Sequence, residues 1–173
     1  MASGSDPVTA VIVGAGNRGL IYASYAQEHP DELKIVGVAD PRQLRRRHVA
    51  ELYDLPPERC FSTAEELAAQ PQMADVAING TMDHLHIDTT VPLLETGYDV
   101  LLEKPFATNE EQMWKLLDAS TRTGQTVVVC HVLRYTAFYR AIRERIAAGE
   151  IGDIINIQTT EHVSYHHTAV AYV

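Results

Sequence analysis

The chain predicts an α/β fold in which a parallel sheet is covered by helices on both faces. Three observations carry that expectation. Short apolar segments alternate with helical stretches through residues 8–149, the order that crossover helices impose on a parallel sheet. The first, third and fifth runs, at about 8–13, 75–79 and 126–130, are near-continuously apolar, as expected of strands covered on both sides. The first run also passes straight into Gly14-Ala15-Gly16-Asn17-Arg18-Gly19, a glycine-rich turn between a strand and a helix.

Each element has its own signal. Further strands are expected at about 34–39 and 99–103, with a short one at Cys60-Phe61. The first helix runs from about Asn17 to His29 and stops at Pro30. The second opens at Pro41, a residue favoured in the first helical position, and ends before Pro56-Pro57. Ser62-Thr63-Ala64-Glu65 and Thr108-Asn109-Glu110-Glu111 have capping-box spacing, opening helices to about Gln70 and Thr123. A helix over 84–96 contains Pro92, so it should kink or start late. Gly97, Gly124 and Gly149 stand where helices stop.

Past Gly149 the pattern changes. Ile151–Thr159 alternates apolar and polar residues, the mark of a half-exposed strand in an antiparallel sheet. Three segments follow: a leader at 1–7, one domain at 8–149, and at 150–173 the first strand of a second, α+β domain. That last stub is too short to bury its own face, so the sequence reads as a piece of a longer protein.

Composition narrows the partners. Apolar residues make up 46% of the 173 positions, enough for a core. A net charge of −9 argues against a nucleic-acid or anionic-membrane surface. The basic run Arg45-Arg46-Arg47-His48 falls within the second helix and reads as a solvated face. Cys60 and Cys130 sit in or beside apolar strands and read as free core thiols, which suits a cytoplasmic location. No apolar stretch reaches the ~20 residues that span a bilayer.

The glycine turn has a second half. Asp40 ends the second apolar run, at the distance from Gly19 where a ribose-binding acid falls. Gly14 permits the tight turn, Gly16 lets backbone approach a pyrophosphate, and Gly19 lets the helix pack on the strand. The N–H groups opening the helix, from Asn17 and Arg18 on, complete an anion site. The fold is therefore a Rossmann-type, doubly wound sheet that binds a dinucleotide. Asp40 occupies the place of a 2′-phosphate, so NAD is expected over NADP. Arg42 either stacks on adenine, meets a 2′-phosphate, or is an exposed arginine at the helix start.

Downstream, Leu101-Leu102-Glu103-Lys104-Pro105 closes a strand. Together with the glycine turn it resembles the Gfo/Idh/MocA family of nicotinamide-dependent oxidoreductases. Thr81 and His86 fit that family's Thr-Pro-x-x-x-His loop, with Met82 in place of proline. Arg134-Tyr135 with Phe138-Tyr139 resembles its Arg-aromatic-x-Pro segment, with Ala137 for proline. Gly149-Glu150-Ile151-Gly152 resembles the entry to its second domain. The resemblance implies that Thr81, His84, His86, Glu103, Lys104, Pro105 and Arg134 line the nicotinamide side. It also implies a Lys104–Pro105 bond that is often cis, a sugar-like substrate, and a homo-oligomer built on the second domain's sheet.

Lys104 also has a rationale in chemistry alone. Oxidising a secondary alcohol moves a hydride from carbon and a proton from oxygen. An ammonium beside that oxygen stabilises the developing negative charge, and an amine can relay the proton. Ligands of open α/β sheets sit beyond the carboxyl ends of the strands, where Lys104 falls. No metal is expected: the His84-x-His86 spacing does not suit a helical ligand pair, and His162, His166 and His167 lack a completing Cys or carboxylate apart from Glu161. Family members that act on sugars usually add an Asp-x-x-x-His pair, and none follows Gly149 here. Three functions therefore stay open: a sugar, sugar-alcohol or cyclitol dehydrogenase, a glycoside-cleaving relative using NAD transiently, and a non-catalytic nucleotide sensor.

Overall fold

The computed structural model describes residues 6–165. Six parallel strands form one sheet: β1 (Val8–Val13), β2 (Leu33–Ala39), β3 (Cys60–Phe61), β4 (Val76–Asn79), β5 (Asp99–Leu102) and β6 (Val127–Val129), in the order β3-β2-β1-β4-β5-β6. The order reverses between β1 and β4, which opens a crevice at their carboxyl ends.

Alternate residues of β1 feed two cores. Val11 and Val13 face one side with Leu67, Leu93, Leu94 and Leu116. Ala10 and Ile12 face the other with Ala23, Ala26 and Val49. The first side is covered by α4 (Ala64–Ala68), α5 (His86–Thr96) and α6 (Glu110–Thr123), the second by α1 (Asn17–Ala23), α2 (Tyr25–Glu28) and α3 (Gln43–Leu52). Burial on both faces explains the continuous apolar runs of β1 and β4. The run at 126–130 differs. It forms β6, the sheet's edge, and Val128 is 46% exposed.

Helix ends follow local chemistry and shift some expected boundaries. The first helix breaks at Ser24 into α1 and α2. Pro41 lies outside α3, which starts at Gln43 after an extended Arg42. The capping boxes sit one residue later than the spacing suggests. Thr63 accepts from the Glu66 N–H while Glu66 accepts from Ser62 N–H. Asn109 accepts from the Gln112 N–H while Gln112 accepts from Thr108. The helix holding Pro92 does start late, at His86, after a 3₁₀ turn at Asp83–Leu85. Gly97, Gly124 and Gly149 all adopt the left-handed backbone that ends a helix without a Cβ clash.

Two compact units divide at Cys130 and His131, ahead of the Gly149 boundary suggested by the sequence. The second contains a 3₁₀ turn at Val132–Tyr135 and α7 (Ala137–Ala147). The strand expected at Ile151–Thr159 does not form; the segment is exposed and irregular. Alternation supplies an amphipathic strand face, but a strand also needs a neighbour to satisfy its backbone, and none of the described residues pairs with it. His166 and His167 lie outside the described residues.

Candidate functional site

Backbone hydrogen bonds knit the strand ends together beyond the sheet. Gly14 N–H donates to Ala39, Gly80 N–H to Val13, and Glu103 N–H to Asn79. The turns that follow β1, β4 and β5 are thereby fixed side by side.

The glycines divide into two kinds. A Cβ on Gly14 would lie 2.8 Å from Thr81 N, one on Gly19 would lie 2.3 Å from Gly14 O, and one on Gly80 would lie 2.8 Å from Gly19 N. These three interlock the β1 turn with the β4 turn and leave no room for a side chain. A Cβ on Gly16 would meet only the tip of Arg45, at 3.4 Å. Gly16 thus presents bare backbone to open space, with Asn17 and Arg18 exposed beside it. A groove of about 270 Å³ begins there and is lined by Ala15, Gly16, Asn17, Leu44, Arg45 and His48.

Asp40 closes one end of this cradle. It is 2% exposed; Oδ2 accepts from Ala15 N–H at 2.8 Å and Oδ1 from Arg42 N–H at 2.8 Å. Arg45 pairs with it at 3.6 Å, and Arg46 donates to its carbonyl at 2.6 Å. Half of the basic run is therefore a half-buried brace on Asp40, and only Arg47 and His48 are exposed as a solvated face would be. Arg42 engages Asp40 through its backbone, with its side chain exposed.

The β4 turn is held by a buried amide. Asn79, fully buried, donates to Thr89 and Thr90 at 2.8 and 2.9 Å and accepts from the Thr81 hydroxyl at 2.8 Å. His86 is fully buried at the start of α5. Its Nδ1 lies 2.8 Å from Pro105 O and its Nε2 3.2 Å from Thr81 O. Each ring nitrogen thus lies within hydrogen-bond distance of a carbonyl of one of the two loops. His86 braces the site from beneath, whereas His84 is exposed in the 3₁₀ turn.

On the β5 side, Lys104 and Pro105 are exposed and joined by a cis peptide bond. Glu103 is 7% exposed. It accepts from Tyr22 Oη at 3.0 Å and from Lys104 N–H at 2.9 Å, and pairs with Arg18 at 3.3 Å. Burial pushes the Tyr22 phenol well above its ordinary value, reinforced by Cys130 and Glu103. Burial likewise raises the Cys130 thiol. Cys60 and Cys130 are both free thiols. Arg134 belongs to the second unit, exposed in its 3₁₀ turn.

The structure thus brings together Gly14, Gly16, Asn17, Arg18, Gly19, Asp40, Thr81, Glu103 and Lys104 beyond the carboxyl ends of β1, β2, β4 and β5. Tyr22, Asn79 and Gly80 join them without having been singled out in the sequence, and Arg45 and Arg46 join them although the basic run read as a solvated face. Asn79 carried a signal, being a polar residue that closes an apolar strand. Tyr22 carried none.

Residues 8–131 match the Gfo/Idh/MocA family, described as an oxidoreductase family with an NAD-binding Rossmann fold. The chain belongs to that family. It is 29% identical over 151 residues to D-glucoside 3-dehydrogenase of Escherichia coli K12, a match covering 87% of this chain and 42% of the relative. It is 23% identical over 148 residues to inositol 2-dehydrogenase of Corynebacterium glutamicum, covering 85% and 43%. In fold it is similar to the WlbA dehydrogenase of Bordetella pertussis, solved with NADH and UDP-GlcNAcA, with a TM-score of 0.79, 22% identity, and coverage of 88% and 45%. This family chain therefore spans less than half the length of these relatives.

Proposed function

We propose that this chain is the NAD-binding part of a dehydrogenase acting on a secondary alcohol of a sugar, sugar alcohol or cyclitol. Lys104 is its catalytic residue. The observation that carries this reading is the exposed Lys104 at the carboxyl end of β5, with its neighbour Glu103 tied to the helix that opens the glycine cradle. When bound, the dinucleotide supplies the two-electron acceptor for the alcohol carbon.

The chain's own residues do the rest. The open backbone at Gly16, with Asn17 and Arg18, receives the pyrophosphate. Asp40 meets the adenosine ribose, and its carboxylate disfavours a second phosphate there. Thr81 and Pro105 frame the nicotinamide side, and His86 fixes the distance between their carbonyls. The Lys104 ammonium stabilises negative charge on the alcohol oxygen as that oxygen's proton passes to water. Similarity to the glucoside and inositol dehydrogenases over most of this chain supports the sugar and cyclitol class.

Calorimetric titration of the purified chain with NAD and NADP tests the cofactor choice. NAD is expected to bind at least ~10-fold tighter, and Asp40→Ala to weaken NAD and narrow that gap. Equal or tighter NADP binding by the unaltered chain would overturn the preference and make Arg42 a phosphate contact. A screen of polyols with the full-length protein, read as net NADH production, tests the reaction. Cleavage of a glycoside without net NADH, or binding without any turnover, would overturn it.

A further inference from the structure

We propose that Tyr22 and Arg18 are positioning residues for Lys104, acting through Glu103. The inference rests on the reading of Lys104 as the catalytic residue.

Glu103 is a buried carboxylate, and such a group is kept in place by the donors that satisfy it. Three donors reach it, from two elements distant in sequence. Arg18 Nε lies 3.3 Å from Oε1, and Tyr22 Oη donates to Oε2 at 3.0 Å. The third is the backbone N–H of Lys104, which also donates to Oε2, at 2.9 Å. Arg18 and Tyr22 are four residues apart, so they share one face of α1. The oxygen that receives the Lys104 N–H is therefore located by the Tyr22 hydroxyl. Arg18 prevents the carboxylate from rotating by holding its other oxygen.

The far side of the lysine is anchored as well. His86 Nδ1 lies 2.8 Å from the carbonyl of Pro105, the next residue. Lys104 is exposed, yet the backbone on both its flanks is hydrogen-bonded to side chains. The phenol, pushed up by burial, keeps its proton and stays a donor throughout the neutral range. Because α1 also begins the cofactor cradle, one helix sets both the glycine turn and the direction of the lysine.

A tyrosine packed beside a core also contributes by packing alone, so the test must separate the hydroxyl from the ring. Hydrogen exchange at the Lys104 amide, followed by NMR in the labelled 173-residue chain, reads the bond without any turnover. Tyr22→Phe and Arg18→Met are each expected to speed that exchange ~5–10-fold, the loss of about one hydrogen bond. In Tyr22→Phe the NAD affinity should change less than ~2-fold. In a Glu103→Ala background, Tyr22→Phe should add nothing. If Glu103→Ala does not fold, Glu103→Gln replaces it; its neutral amide weakens the Arg18 contact, so Arg18→Met should add less there than in the unaltered chain. In the full-length protein, Tyr22→Phe should lower kcat severalfold and leave the dinucleotide KM unchanged. Unchanged Lys104 exchange in Tyr22→Phe, or the same acceleration with Glu103 removed, would overturn the proposal. A full-length protein that oxidises no alcohol overturns the functional reading instead, and the exchange experiment still decides the positioning.

Discussion

A methyl group added at Gly16 and one added at Gly19 probe two different jobs of one turn. At Gly19 it would lie 2.3 Å from Gly14 O, a backbone atom that cannot move without shifting β1 against the β4 turn. At Gly16 it would touch only the tip of a flexible arginine. Gly19→Ala should therefore cost about 3 kcal/mol of stability, as overpacking against backbone does. Gly16→Ala should cost less than ~1 kcal/mol yet weaken NAD at least ~10-fold, because the methyl occupies the ligand's approach. Thermal unfolding and NAD titration of both variants check this. Equal loss of stability in the two would contradict the division. At this scale much of the candidate site was legible, because glycines and Asp40 are recognised by their spacing along the chain. Tyr22 was not legible, since its partner Glu103 lies 81 residues away and only the fold brings them together.

Between elements, one hydrogen-bonded pair joins β1 to the entry of β4. Asp75 accepts from Thr9 N–H at 2.8 Å and from the Thr9 hydroxyl at 2.6 Å, and these bonds hold its carboxyl below the ordinary carboxylate value. A depressed carboxyl stabilises the fold above the unfolded value of about 3.9. That contribution is lost as pH falls through the lower, folded value. The unaltered chain should therefore lose thermal stability relative to Asp75→Asn as pH falls below about 4. Melting curves across that range read it, and a difference between the two proteins that does not vary with pH would exclude it. Element types were readable because apolar runs and capping residues act locally. Their limits were less so. Thr63 and Asn109, not the residues before them, take the cap positions because each side chain meets the N–H three residues on. Ile151–Thr159 shows the other failure: alternation records which face a strand would bury, while pairing depends on a neighbour that the segment's own sequence does not contain.

Across the whole molecule, the proposed function implies a division of parts between holding a cofactor and working on a substrate. The described residues supply the cradle at Gly16, the acid Asp40, the Thr81 turn and the fixed backbone around Lys104. On the proposed reading, these hold the dinucleotide. They leave Lys104 exposed, and the proposed reading assigns orientation of an alcohol and exclusion of water to residues beyond these. Orientation in a well-aligned site accounts for roughly 7–11 kcal/mol of a barrier, so its loss outweighs anything the lysine alone can contribute. The 173-residue chain is therefore expected to bind NAD and to oxidise no polyol at a measurable rate. On the proposed reading, the full-length protein should bind NAD and oxidise a polyol. In it, Lys104→Ala should lower kcat ~100-fold or more while changing NAD affinity less than ~3-fold, since charge stabilisation at the oxygen is lost and the cradle is untouched. Rapid polyol oxidation by the chain alone would contradict the division, and so would an unchanged kcat in the Lys104→Ala protein.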